Sequence, residues 1–164
     1  MDLALVFLLV VLNGVFAMSE MSLISAKKLR LQQMADKGSS GAKAALALQS
    51  NPTRMLSSVQ VGITCIGLLS GMVGEKALID PLAQFMVSWG LTESFAKSTS
   101  TVLAVMFLAY LSVVFGEIIP KRIGAVLAEK VASILSLPMT WIAIITLPVV
   151  FLFTKTSEVV LNFL

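Results

Sequence analysis

Residues 98–122 read STSTVLAVMFLAYLSVVFGEIIPKR, and the order of their parts decides what kind of molecule this is. A helix needs about 20 mostly apolar residues to cross a bilayer, and the stretch from about Ser98 to Ile119 supplies that length. It closes on Gly116-Glu117-Ile118-Ile119-Pro120-Lys121, where a carboxylate, a proline and a basic pair follow one another. Pro120 has no N–H to give the carbonyl of Gly116, so the helix loses a rung there. A free carbonyl beside a carboxylate near membrane depth is the hard oxygen environment that magnesium or sodium prefers. Broken helices with unwound carbonyls recur at ion sites in transporters. A plainer account ends the helix at the interface, with Lys121 and Arg122 reaching lipid phosphates.

Three further apolar runs flank this one: Leu3 to about Ala26, Met55 to Gly74, and Val131 to Phe153, the last holding Pro138 and Pro148. Over all 164 residues the apolar share is 57% and the charged share 13%, with a mean hydropathy of +0.95. A soluble domain is roughly 25% charged, so this chain lacks the polar residues to cover itself in water. A soluble enzyme and a disordered chain are excluded together. The single cysteine, Cys65, rules out an internal disulfide and thiolate clusters. The absence of histidine removes imidazole ligands and His-based acid–base chemistry. No nucleophile–base set or phosphate loop stands out, so no catalytic residue is assigned. Nine methionines lie scattered and read as packing rather than as a copper site.

Charge placement orients the chain. Lys27, Lys28, Arg30, Lys37, Lys43 and Arg54 stand against Asp36 alone in the first loop, which the positive-inside rule puts in the cytoplasm. That loop reads as a helical hairpin turning at Gly38–Gly41. The first run is followed, not preceded, by its basic residues, so it is a span rather than a signal peptide. The N-terminus is therefore expected outside. Leu78–Leu91 is too short to cross and reads as a shallow interfacial element. The run at 131–153 is long enough to cross, yet two prolines also suit a bent helix lying along the cytoplasmic face. The ending EVVLNFL leads us to expect more protein after Leu164.

Polar residues at lipid depth are the default functional candidates. Asn13, Gly14, Ala17 and Glu20 share one face of the first helix, with Ser19, Ser22 and Ser25 alongside. Ser57, Gln60, Thr64, Gly67 and Gly71 make a stripe on the second, with Ser70 beside it. A seam of small residues packing helix against helix explains the glycines but explains Gln60 and the carboxylates poorly.

NGVFAMSEMSLIS, NPTRMLSSVQVGITCIGLLSG and FGEIIPKRIG, in this order, resemble the membrane domain of the CorC/cyclin M (CNNM) family of magnesium transporters. The resemblance implies an all-α integral membrane domain over residues 1–164: three spans (about 3–26, 55–74 and 98–119), a cytoplasmic hairpin between the first two, and a Pro-bent juxtamembrane helix over about 131–153. It also implies a homodimer in the plasma membrane, its C-terminus cytoplasmic and followed by an ATP-binding CBS module, with no nucleic-acid partner. The activity implied is sodium-coupled Mg2+ efflux, with Mg2+ as substrate ion and Na+ as coupling ion. Ser19, Ser22, Ser70, Gly116 and Glu117 are the expected ion ligands. Asn13, Glu20, Gln60, Thr64, Pro120 and Lys121 are further candidates for the pathway. Two other readings stay open, a dimeric anchor for a cytoplasmic sensor and a passive channel.

Overall fold

A computed structural model describes residues 2–162, and every element among them is helical. The order is α1 (Asp2–Ser25), α2 (Lys28–Asp36), α3 (Ser40–Ser50), α4 (Pro52–Gly74), α5 (Asp80–Ser88), α6 (Glu93–Val113), α7 (Ile119–Val126), α8 (Ala128–Ile145) and α9 (Leu147–Asn162). Two π-helical turns, Glu75–Ile79 and Val114–Ile118, join α4 to α5 and α6 to α7.

Each π turn ends two residues before a proline, Pro81 in one case and Pro120 in the other. A wide turn re-registers the hydrogen-bond ladder where the proline cannot donate. The helices therefore run on through both prolines. Pro52–Ser88 is one apolar helix of 37 residues and Glu93–Val126 one of 34. This corrects the sequence reading at two places. Leu78–Leu91 is no separate shallow element but in large part the end of the second long helix, and the third does not stop at Ile119. Proline is a weaker stop than its missing N–H suggests when the turn before it can widen.

With Leu3–Ser25 and Ala128–Ile145, four helices are long and apolar enough to cross a membrane. The fourth retains Pro138 inside α8. The break in the 131–153 stretch comes at Thr146, between α8 and α9 and just ahead of Pro148.

The described residues of Met1–Val15 and Thr64–Pro120 form one compact unit; those of Phe16–Ile63 and Lys121–Leu164 form another. In the first unit α5 packs on α6. A side chain at Gly74 would collide with Leu108, and one at Gly14 would lie 2.9 Å from the Pro120 ring. Val102, Val105, Met106, Phe107 and Tyr110 of α6 are all more than half exposed, a surface suited to lipid.

In the second unit Leu23, Leu31, Ala35, Ala42, Ala45, Met55, Ala128 and Ala132 make the core. Alanines dominate it because the backbones approach closely: a Cβ on Gly41 of α3 would overlap the Ser133 carbonyl of α8. The turn between α2 and α3 is built as its residues dictate. Gly38 takes φ +96°, a conformation glycine adopts freely. The N–H groups of Gly38 and Ser39 close back on Ala35 and Met34 at 3.0 and 3.1 Å. The Ser39 hydroxyl then accepts the Ala42 N–H at 3.2 Å and caps α3.

Candidate functional site

The expected site residues divide between the two units. In the first, α1 supplies Asn13 and the π turn before α7 supplies Gly116. Asn13 Nδ2 donates to the Gly116 carbonyl at 3.1 Å. The carbonyl that Pro120 deprives of its helical donor thus has a side-chain donor in its place. Gly116 is buried, and a Cβ there would crowd Asn13 Nδ2 at 3.1 Å and meet the Val10 carbonyl at 3.4 Å, so glycine eases the approach. Asn13 Oδ1 is buried with no hydrogen-bond partner. Glu117 follows directly and is exposed, and Pro120 is buried.

Ser70, 8% exposed, lies elsewhere in this unit. It lines a cleft of about 500 Å³ between α4 and α6, together with Gly71, Glu75, Thr101 and Ser112. Gly116 and Glu117 are not among that cleft's walls. Thr64 is exposed on α4.

In the second unit the last turns of α1 carry Ser19, Glu20 and Ser22. Both serines are fully buried. Ser22 Oγ donates to the Ser19 carbonyl at 2.9 Å, which still leaves its lone pairs available. Ser19 Oγ has no partner. Gly124 of α7 lets that helix lie on this turn, since a Cβ there would fall 2.5 Å from the Met18 carbonyl. Lys121, one turn earlier on the same face of α7, places its Nζ 3.7 Å from Glu20 Oε2. Glu20 is 17% exposed and Lys121 35%. Glu20 Oε2 is an ion-pair partner without a hydrogen bond.

Gln60 is exposed. The face of α4 that packs in this unit instead carries Met55, Ser58, Val59 and Gly62, the last against the Phe16 ring. Sequence reasoning followed the stripe Ser57–Gln60–Thr64 and so missed Ser58, which is 1% exposed with an unpartnered hydroxyl. Its spacing to Gly62 was the available signal. Gln49 was missed as well: its Nε2 donates to the carbonyls of Leu23 and Ala26 at 2.7 and 3.0 Å, closing the end of α1.

Among the described residues no three acidic, cysteine or histidine side chains gather as a metal cluster. The chemistry on offer is hydroxyl, amide, carbonyl and single carboxylate oxygens. Such oxygens are ligands for a cation, and Asn13 Oδ1 and Ser19 Oγ among them are buried with no hydrogen-bond partner.

Long apolar helices with oxygen-rich turns buried among them define a helical membrane protein. The chain belongs to the cyclin M transmembrane N-terminal domain family, whose model matches residues 3–164. It is 42% identical over 162 residues to the UPF0053 protein sll0260 of Synechocystis, covering 99% of this chain and 36% of the relative. It is 31% identical over 154 residues to the polyamine export protein of Salmonella typhimurium, covering 94% of this chain and 34% of that one. It is 30% identical over 148 residues to the UPF0053 protein YugS of Bacillus subtilis, covering 90% and 34%. The chain thus spans about a third of the length of these curated relatives.

Proposed function

We propose that this domain carries a cation across the membrane, with Mg2+ as cargo driven outward by inward Na+ flow. The observation that supports it is that Asn13 Oδ1 and Ser19 Oγ, both on α1, are buried without a hydrogen-bond partner, with the Glu20 carboxylate, ion-paired to Lys121, on the same helix. An unpaired buried polar atom costs free energy unless something occupies it part of the time. Mg2+ is bound through one or two carboxylates while keeping several waters, which suits Glu20 or Glu117 as a carboxylate set among hydroxyls and carbonyls. Ser19 and Ser22 in the second unit, and Gly116 and Glu117 in the first, are the candidate ligands of this reading, each taken within its own unit. Ser70 serves the pathway from the α4–α6 cleft.

The arrangement we favour keeps α1, α4 and α6 as the spans, with the N-terminus outside and α2–α3 in the cytoplasm. The helices α8 and α9 then lie along the inner face and lead to a cytoplasmic CBS module. Two copies pack about a two-fold axis to cover the small-residue faces.

A second reading, export of a polyamine, is favoured by the name of the Salmonella typhimurium relative and by the Lys121 ammonium 3.7 Å from Glu20. A carboxylate matched to one alkylammonium can accept another.

Full-length protein in sealed vesicles separates these readings from each other and from a membrane anchor with no path. Mg2+ or putrescine is loaded on one side, and the Na+ gradient is imposed in each direction. Mg2+ movement that reverses with the gradient supports the first reading. Putrescine movement without Mg2+ movement supports the second, Mg2+ movement indifferent to Na+ is a passive channel, and none at all leaves an anchor. Glu117→Gln should weaken Mg2+ binding in calorimetry, and unchanged binding would remove Glu117 from the site.

A further inference from the structure

The second unit holds a basic cleft that no transport reading uses. It measures about 410 Å³ and lies where α2 meets the junction of α7 and α8. Arg30 and Lys37 of α2 and Lys130 of α8 line it, with Glu129 as the one carboxylate in its wall. Glu129 is engaged: its Oε1 lies 3.6 Å from Arg30 Nη1. Neither Lys37 nor Lys130 has an acidic partner within salt-bridge distance among the described residues. Three cations against one committed carboxylate leave the cleft positive.

Its apolar edge is unusual for a surface facing only water. Val126 is 81% exposed and Leu127 49%, both lining the cleft. Leu29, 72% exposed, lies on the same α2 helix. Val126 ends one helix long enough to span, Ala128 begins the next, and α1 ends at Ser25 just before α2. On the topology proposed above, with α2 and α3 in the cytoplasm, the cleft lies on the inner side of the membrane, near the ends of these helices. Cations beside exposed aliphatic side chains at that level match a molecule with a phosphate at one end and acyl chains at the other.

We infer that this cleft binds the headgroup of an anionic phospholipid, its phosphate held by Lys37 and Lys130 and its glycerol and upper acyl carbons covering Val126 and Leu127. Inorganic phosphate would satisfy the lysines but leave the aliphatic edge bare. An acidic peptide would gain charge pairing without needing the membrane level.

The test uses the full chain in mild detergent with equal amounts of phosphatidylglycerol and phosphatidylcholine, the lipid retained through purification being measured by mass spectrometry. The protein should be enriched in phosphatidylglycerol. A polybasic contact near a membrane surface is worth about five-fold per lysine, so Lys37→Gln with Lys130→Gln should abolish the enrichment. Lys43→Gln, on exposed α3 surface outside the cleft, should leave it intact. Inorganic phosphate added at constant ionic strength should fail to displace the lipid, whereas raised ionic strength should release it from the unaltered protein whether or not the double variant folds. Equal retention of the two lipids, an unchanged preference in the double variant, displacement by inorganic phosphate, or indifference to salt would each overturn the assignment.

Discussion

Asn13 Nδ2 donates to the carbonyl of Gly116 at 3.1 Å, joining residues 103 apart in the chain. Proline at 120 creates the vacancy and asparagine fills it, so two motifs with no local connection are one device. Asn13→Leu keeps the volume and removes the donor. It should lower stability by about 1–3 kcal/mol, the cost of a buried carbonyl left unpaired. Thermal unfolding in detergent reads this directly, and an unchanged midpoint would show that the carbonyl has another donor.

The Glu20–Lys121 pair is partly buried, 17% and 35% exposed, so its energy lies between surface and core values. Glu20→Gln alone and Lys121→Met alone should each cost more than half of what the double substitution costs. A double-mutant cycle should return a coupling of about 1–2 kcal/mol. A coupling of zero would make the 3.7 Å approach incidental.

Glycines divide sharply by what surrounds them. Gly41→Ala must push α3 off the Ser133 carbonyl, and Gly124→Ala must push α7 off that of Met18. Each should cost about 2 kcal/mol or more through overpacking. Gly67 and Gly71 meet nothing within 4 Å, and alanine at either should stabilise α4 by about 0.5–1 kcal/mol through helix propensity. Melting curves of the four variants check the contrast. A destabilising Gly67→Ala would reveal that something covers this face.

Ser19 and Ser58 are both buried with unpartnered hydroxyls, so alanine at either should hold or raise the melting temperature, since an unsatisfied polar group is lost. If Ser19 belongs to the cargo site as proposed, Ser19→Ala should also weaken Mg2+ binding while Ser58→Ala leaves it alone. Equal losses in both would point to a general softening of the fold.

Composition alone disclosed the bilayer, because lipid exposure is a bulk property visible in any window of apolar residues. The hairpin turn was equally legible: glycine with positive φ and a capping serine are local requirements met by Gly38 and Ser39. What escaped was whatever depends on hydrogen-bond register. A π turn has no composition of its own, so the second span was ended at Gly74 and the third at Ile119 although both helices run on. On α4, polarity marked Gln60 and Thr64, which are exposed, whereas the buried face carries Ser58 and packs Gly62 on Phe16. Asn13 and Gly116 were each singled out from sequence, but their bond follows from tertiary approach, which spacing does not encode.

The two hydrogen bonds from Gln49 to the carbonyls of Leu23 and Ala26 have a mechanical meaning. The last turn of α1, three residues beyond Glu20, is fastened to α3, and α3 is in turn bolted to α8 through Gly41. A displacement of the hairpin would therefore pull on the carboxylate-bearing turn of α1. Whatever grips α2 and α3 thereby holds a lever on Ser19, Glu20 and Ser22.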